Sequence, residues 1–161
     1  MKRFLLVLTT LVLLVSLVSC GEAKPKTFTA EGVSVTLTDD FTKCSVDGYT
    51  VAYDSKDVAV LVLKEAFSDF QGVELTLNEY ASLVRQSNLS RNPTEVIEKD
   101  GVYTMEFSFF NEDEEVTYKY LCAMYESDDA FWLIQFACKE SSYDSLADTL
   151  MTYAKSVSFD A

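Results

Sequence analysis

The sequence contains no histidine in its 161 residues. This absence excludes Ser-His-Asp and Cys-His catalysis and the common zinc sites, and it removes the usual general base at neutral pH. The chain also lacks a glycine-rich phosphate loop and a Cys-x-x-Cys pair. Pairs of carboxylates are the remaining catalytic option, but the acidic residues fall in turns and on polar strand faces, where solvation explains them. We therefore predict that the protein is not an enzyme and uses no cofactor.

Glycine and proline are scarce, with 5 and 2 residues, which argues against long disordered regions. The apolar run from Phe4 to Val18 is too short for a membrane-spanning helix, which needs about 20 residues. Lys2 and Arg3 precede this run. A short positive segment followed by an apolar stretch of this length is typical of a secretory signal. We therefore predict export, with residues 1–19 as the signal peptide.

The predicted signal ends in Leu17-Val18-Ser19-Cys20. This stretch resembles the lipobox of bacterial lipoproteins at all four positions. The resemblance implies cleavage between Ser19 and Cys20 and a diacylglycerol on the Cys20 thiol, and two acyl chains anchor a protein stably where one does not. The alternatives are an uncleaved transmembrane anchor and an ordinary signal with an incidental cysteine. The predicted location is the extracytoplasmic face of the cell membrane, where Cys20 holds the lipid anchor.

Basic residues are few. Removing residues 1–19 takes away Lys2 and Arg3 and no acid, which leaves 11 basic and 26 acidic residues and a net charge of −15. Nucleic acid is a poor partner for such a chain, because phosphate binding needs a basic face. Anionic lipid headgroups would also repel the domain body. We predict a short linker over residues 20–27 and a single domain with its own core over residues 28–161.

Three cysteines remain in the predicted domain, Cys44, Cys122 and Cys138. The odd number leaves at least one of them unpaired within the chain. Cys122 and Cys138 fall on two strands of a predicted hairpin that places Cys138 opposite about residue 117, so the two cysteines lie about 17 Å apart along the strand. A disulfide needs Cα atoms within about 7 Å. We therefore predict buried free thiols.

The sequence predicts strands at 28–37 (two strands that turn at Glu31-Gly32), 49–53, 58–67, 94–98, 102–110, 116–125 and 130–138. Val33, Val35 and Leu37 alternate with polar residues, which is typical of a half-buried strand. Residues 58–63 are continuously apolar, which predicts a strand buried on both faces. Thr76 and Glu79 form a capping box at the start of a helix that ends near Asn88. A second amphipathic helix is predicted at about 142–157. This order predicts an α+β fold with a mostly antiparallel sheet and two main helices.

The runs TFTAEGVSVTLTDDF and TLNEYASLV, the aromatic meander at 102–138 and the closing helix with SVSF resemble the PsbP-like α/β/α sandwich over about residues 28–160. The resemblance implies that fold. The known members are mostly binding or accessory proteins, which implies a non-catalytic role by analogy. The resemblance transfers no functional residue. A cystatin-like or NTF-two-like sheet is the alternative fold.

Flexible acidic loops favour calcium among the metals, because calcium takes oxygen ligands. Successive turns of an antiparallel meander lie at opposite ends, so the turn at 111–115 cannot share an ion with the turn at 126–129. The turn at 99–101 lies at the same end as 126–129. Asp100, Asp128 and Asp129 are therefore the candidate calcium ligands. The simpler interpretation is that they are solvated turn residues and that no metal binds.

Aromatic side chains are concentrated on two neighbouring predicted strands: Tyr118, Tyr120, Tyr125, Phe131, Trp132 and Phe136. As cross-strand pairs they would stabilise the sheet, and as an exposed row they would bind sugar rings or a partner. We predict a non-catalytic, lipid-anchored domain that binds or assists an envelope protein. The alternative is a receptor lipoprotein for a small ligand or a metal ion.

Overall fold

A computed structural model describes residues 23–160. The strands are β1 (Pro25–Ala30), β2 (Val33–Thr38), β3 (Thr42–Cys44), β4 (Val51–Asp54), β5 (Val58–Ala66), β6 (Ile97–Lys99), β7 (Val102–Asn111), β8 (Val116–Glu126), β9 (Ala130–Lys139) and β10 (Ser158–Phe159). The helices are α1 (Leu77–Ser87) and α2 (Glu140–Lys155), with 3-10 turns at Phe67–Phe70 and Leu89–Arg91. The predicted signal peptide and Cys20 lie outside the described residues. None of the helices described here is both long and apolar enough to cross a bilayer.

The strands form two antiparallel sheets. The large sheet has seven strands in the order β3-β4-β5-β9-β8-β7-β6, and the small sheet has the order β1-β2-β10. β9 occupies the centre of the large sheet, where it pairs with β5 on one side and β8 on the other. Its residues from Ala130 to Cys138 are all buried, as expected for a strand with layers on both faces.

Tight turns connect the long strands. Asp100 and Gly101 both have positive φ, at 54° and 81°, and they form the two-residue turn between β6 and β7. A turn with two positive φ angles matches the twist of a hairpin, and an Asp-Gly pair adopts it at low cost. Glu31 and Gly32 make the same kind of turn between β1 and β2.

One face of the large sheet packs against α2 and the small sheet. The apolar side chains of β2, such as Val35 and Leu37, and those of α2, such as Leu150, meet Val60 and Ile134 of the large sheet in one cluster. Phe159 of β10 stacks on Trp132, with ring centroids 5.1 Å apart. The last residues of the chain thereby close this side of the molecule.

The opposite face packs against α1. Tyr80, Ala81 and Val84 of the helix form a second cluster with Phe131 and Leu133 of β9. The Tyr80 ring stacks on Phe131 at 4.5 Å, and its hydroxyl donates to Glu65 at 2.6 Å. Both clusters consist entirely of residues between Phe28 and Phe159. A chain without residues 1–22 therefore keeps every residue of these two clusters.

The α+β class, the two helices and the mostly antiparallel sheet are confirmed. The capping box is present, because the Thr76 hydroxyl accepts from the Glu79 N–H at 3.3 Å and the Glu79 carboxylate accepts from the Thr76 N–H at 2.9 Å. Several details differ from the prediction. The strand predicted at 94–98 is β6 at Ile97–Lys99, and the helix predicted at about 142–157 is α2 at Glu140–Lys155. β1 begins at Pro25, inside the predicted linker 20–27, and the short strands β3 and β10 were not predicted.

Within residues 23–160, Cys44, Cys122 and Cys138 are free thiols, as predicted. Cys122 and Cys138 are also buried, whereas Cys44 is partly exposed, so the prediction of a buried thiol is wrong at that position. The register differs by two residues from the prediction, because Cys138 pairs with Lys119 rather than with residue 117. Cys122 and Cys138 also belong to the clusters on opposite faces of the sheet. The alternation of side chains across a strand therefore prevents a bridge between them as firmly as the distance does.

Candidate functional site

The helix α1 covers only part of its face of the large sheet. It has 11 residues, about 16 Å of helix, and it packs over the ends of β8 and β9 that lie nearest Phe131 and Met124. Towards the other end of the strands this face stays uncovered. We call the uncovered part the open face, formed by Ala59, Leu61, Phe109, Tyr118, Tyr120 and Ala137.

The register explains why these residues lie together. Ala59 of β5 pairs with Ala137 of β9, Ala137 pairs with Tyr120 of β8, and Tyr120 pairs with Phe107 of β7. In the next row, Tyr118 pairs with Phe109. The two small alanines lie beside large aromatic rings, so the sheet surface is hollow at this point. The hollow has a volume of about 530 Å³.

The rings of Phe107, Phe109, Tyr118 and Tyr120 form the aromatic wall of the open face, and neighbouring contacts hold them in place. Tyr120 stacks on Phe107, with centroids 4.7 Å apart and planes 15° from parallel. The Arg91 guanidinium lies over the rings of Phe107 and Phe109, at 5.1 and 5.4 Å. Burial raises the pKa of Tyr120. This hydroxyl is therefore neutral at physiological pH, and the wall presents rings and a polar hydroxyl without a phenolate charge.

At the border of the open face, the side chain of Tyr49, in the loop before β4, reaches over β5 to β9. The Tyr49 hydroxyl in this loop donates to Gln135 Oε1 at 3.0 Å. Gln135 is one of three buried polar residues in the described chain, and this bond satisfies its oxygen. Burial raises the pKa of Tyr49, so the phenol remains a donor at neutral pH. The loop is thereby fastened beside the hollow.

Charged side chains surround the mouth of the hollow. Asp54 ends β4, Lys56 and Asp57 belong to the turn between β4 and β5, Glu114 belongs to the turn between β7 and β8, and Lys139 ends β9. The Tyr118 hydroxyl donates to Glu114, and this bond raises the pKa of Tyr118. The acids at the mouth are exposed. They lack the burial that adjusts a carboxyl group for acid-base catalysis.

A free strand edge adjoins the open face. β6 pairs with β7 only up to Thr104, and Thr94 bonds to Glu106 on the same outer side. Peptide groups alternate in direction along a strand, so those of Ser108 and Phe110 also point outward. Among the described strands, none pairs with them. We call residues 107–111 the free edge. Its Phe109 and Phe110 side chains are 42% and 54% exposed.

The structure does not bring the candidate calcium ligands Asp100, Asp128 and Asp129 together. Asp100 pairs with Lys155, and Asp129 accepts from Lys64 Nζ at 2.7 Å and from Ser127 Oγ at 3.0 Å. The hydrogen bonds from these ammonium groups lower the pKa of both carboxyls. Across residues 23–160, no group of three or more acidic or cysteine side chains is arranged to hold a metal ion.

The aromatic residues singled out in the sequence divide between the two predicted roles. Phe131, Trp132 and Phe136 are buried in the cores. Tyr118 and Tyr120 instead face the hollow. The alanines that make the hollow were not identified from the sequence. The available signal was Ala59, a small residue within the bulky run of β5. The prediction that residues 58–63 are buried on both faces is wrong at Ala59, Leu61 and Leu63, which are partly exposed.

The chain has a PsbP-like α+β fold. The solution structure of cyanobacterial PsbP (CyanoP) from Synechocystis sp. PCC 6803 is similar over 91% of this chain and 99% of that chain, with a TM-score of 0.56 and 12% sequence identity. A crystal structure from Bacteroides thetaiotaomicron VPI-5482 is similar over 84% of this chain but only 48% of that chain, with a TM-score of 0.55 and 10% identity. Identities this low show the fold alone. The chain matches no protein-family model and no curated protein.

Proposed function

We propose that this protein is a non-catalytic accessory module, anchored by lipid at Cys20 on the outer face of a bacterial membrane, and that it binds an envelope protein. The observation that carries the binding role is the open face together with the free edge. Exposed Phe109 and Phe110 lie on an unpaired strand edge beside an aromatic hollow. Unpaired edges and exposed apolar patches are common sites of protein association.

The absence of histidine and the exposure of the acids at the hollow support a non-catalytic role. Acid-base catalysis by carboxylates needs two groups whose environments separate their pKa values. Asp54, Asp57 and Glu114 are all exposed around one mouth, and none of them lies in an apolar pocket that excludes water. The fold likeness to a cyanobacterial PsbP protein agrees with an accessory role.

The anchor proposal rests on the lipobox in the sequence. The fold adds the distance between the point where the chain enters the domain and the hollow. Lys24 and Asp39 bond to each other through Asp39 N–H to Lys24 C=O at 2.8 Å and Lys24 N–H to Asp39 Oδ1 at 2.9 Å. Asp39 lies three residues before Thr42, which pairs with Asp54 at the hollow. The chain therefore enters the domain within about 20 Å of the hollow. A lipid on Cys20 would keep the hollow close to the bilayer.

The second candidate function is a receptor for a small ligand. The hollow of about 530 Å³ falls within the range of about 300 to 1,000 Å³ for small-molecule sites, and aromatic side chains line it. A receptor of this kind would use the hollow but not the free edge. The two functions therefore differ in whether substitutions at Phe110, which lies outside the hollow, weaken binding.

The test uses residues 23–161 as bait in detergent-solubilised envelope of the host, with crosslinking and mass spectrometry. We expect one stoichiometric partner, which an excess of free domain displaces and which Phe110→Ser weakens. A folded bait without any such partner would contradict the accessory role. Ligand binding that Phe110→Ser leaves unchanged would favour the receptor.

The anchor has its own test. Cells that express the full chain are labelled with palmitate, and Cys20→Ala is compared with Cys44→Ala as the matched control. We expect the label on the parent chain and on Cys44→Ala but not on Cys20→Ala. Palmitate label that persists after replacement of Cys20 would contradict the anchor proposal.

A further inference from the structure

The charges at the mouth of the open face indicate what kind of partner fits. Asp54, Asp57 and Glu114 line the mouth together with Lys56 and Lys139. The turn that carries Glu114 also contains three further exposed acids, and we call residues 112–115 the acidic turn. The mouth and this turn together carry six acidic and two basic side chains. The excess of negative charge is therefore local to the hollow as well as general to the chain.

These acids have no cationic partner within the described part of the chain. Its ion pairs are Lys64–Asp129, Arg85–Glu95, Lys119–Glu106 and Lys155–Asp100. None of them includes Asp54, Asp57 or a residue of the acidic turn. Of the 11 basic residues after the predicted signal, four are thus used elsewhere. The mouth of the hollow keeps a negative potential that a cationic partner would neutralise.

The acidic turn has a defined shape. The Asn111 side-chain oxygen accepts from the N–H groups of Asp113 at 3.0 Å and Glu114 at 3.3 Å. Its amide nitrogen donates to Glu114 Oε1 at 3.2 Å, and the Tyr118 hydroxyl donates to the other carboxylate oxygen. The Glu114 carboxylate is thereby fixed above the aromatic wall. Ordering this side chain before a partner arrives lowers the entropic cost of binding.

We propose that the open face binds a basic segment of a partner protein. In the complex, an apolar side chain of the segment fills the hollow over Ala59 and Ala137, and flanking lysine or arginine side chains meet Asp57 and Glu114. The ring of Tyr118 offers a face on which a cation gains further attraction, whereas Arg91 already lies over the ring of Phe109. This inference rests on the proposed function, in which the open face contacts a protein, and adds the chemistry of the partner.

The probes are three short peptides with blocked ends, KKLKK, EELEE and KKGKK. Each is titrated into 15N-labelled residues 23–161, and the amide shifts are followed by NMR at low and at physiological salt. We expect KKLKK to shift the amides of Ala59, Tyr120 and Ala137. We expect EELEE to leave them unchanged, because its charge repels the mouth. KKGKK should bind more weakly than KKLKK, because it leaves the hollow empty.

Two variants separate the two parts of the site. Ala59→Leu fills the hollow from a partly exposed position, and we expect it to weaken KKLKK binding by about tenfold or more. Glu114→Gln keeps an acceptor for Tyr118 but removes the charge, and we expect a loss of about two- to fivefold, as for an exposed ion pair. Asp148→Asn makes the same change of charge on the exposed surface of α2, on the other side of the sheet, and should leave the affinity unchanged.

Three results would overturn the proposal. They are no shift with KKLKK at millimolar concentration, equal binding of EELEE, or an affinity that Ala59→Leu does not change in a folded variant. The envelope bait experiment separates this failure from failure of the proposed function. The protein could capture an envelope partner that Ala59→Leu no longer binds and yet bind none of the three peptides. That result would support the open face as the binding site and would contradict a basic segment as its ligand.

Discussion

Trp132 is the only tryptophan of the chain, and it lies in the core between the large sheet and the small one. It is 1% exposed, its indole N–H donates to Ser127 Oγ at 3.0 Å, and Phe159 stacks on it. We expect the tryptophan fluorescence of the folded protein to be blue-shifted, and we expect acrylamide to quench it poorly. Unfolding in urea should shift the emission to the red and restore quenching. Strong quenching of the native protein would contradict the closed position of β10 over Trp132.

The thiols of residues 23–161 should differ in reactivity. Cys44 is partly exposed, whereas Cys122 and Cys138 are buried, and burial raises the pKa of both buried thiols. Because the thiolate is the reactive form, we expect one thiol to react with DTNB in the native protein and three in denaturant. Cys44→Ser should abolish the fast reaction. Two fast thiols in the native state would show that a core strand opens.

For single residues, the sequence predicts a role best when one local property, such as spacing along a strand or charge, determines that role. The free state of Cys122 and Cys138 follows from strand spacing, and the acidic character of the turns can be read directly from the sequence. The hollow cannot, because its shape depends on which strands are neighbours. Ala59 and Ala137 are 78 positions apart in the sequence, and their pairing requires knowledge that β5 adjoins β9.

Among the elements, α1 has the clearest sequence signal. The Thr76 hydroxyl caps its first turn, and loss of such a cap costs about 1 kcal/mol. We expect Thr76→Ala to lower the free energy of unfolding by about that amount in urea titrations. Ser82→Ala, an exposed position of the same helix, serves as the control and should lower it by less. An equal effect of both substitutions would contradict a specific capping role.

The same capping box predicts a dependence on pH. Hydrogen bonds from the Thr76 backbone and hydroxyl lower the pKa of Glu79 from its usual value of 4.5. The stability from these bonds is therefore present above pH 4.5 and is lost as the pH falls through the lowered pKa. We expect Glu79→Gln to reduce the drop in melting temperature between pH 6 and pH 3. A drop as large as that of the parent chain would contradict the assignment.

Long elements were predicted and short ones were not. β7, β8 and β9 have ten or more residues each, and their runs of apolar and aromatic residues can be recognised locally in the sequence. β3 has three residues and β10 has two, too few for a periodic pattern to emerge. These short strands form because strands elsewhere in the chain provide their hydrogen-bond partners. β10 pairs with β2, more than a hundred residues away.

The whole molecule has two cores that share one sheet. Ile134 and Leu133 are neighbours in β9, yet they belong to the clusters on opposite faces. We expect a single cooperative unfolding transition, with the same midpoint by tryptophan fluorescence and by far-ultraviolet circular dichroism. Ile134, at 0% exposure, and Met105 belong to different clusters. Replacing either with alanine should lower the same midpoint, because each substitution costs about 2 to 5 kcal/mol of the free energy of unfolding. Two separate transitions would show that the cores fold independently.

The acidic turn has a consequence for how copies of this protein meet each other. The free edge of β7 offers unpaired peptide groups and two exposed phenylalanines, the combination from which strand-by-strand aggregation starts. The acidic turn follows this edge directly in the chain. Two copies that approached each other would each present the same excess of acidic residues, and like charges repel. The edge therefore admits a cationic partner more readily than a second copy of itself.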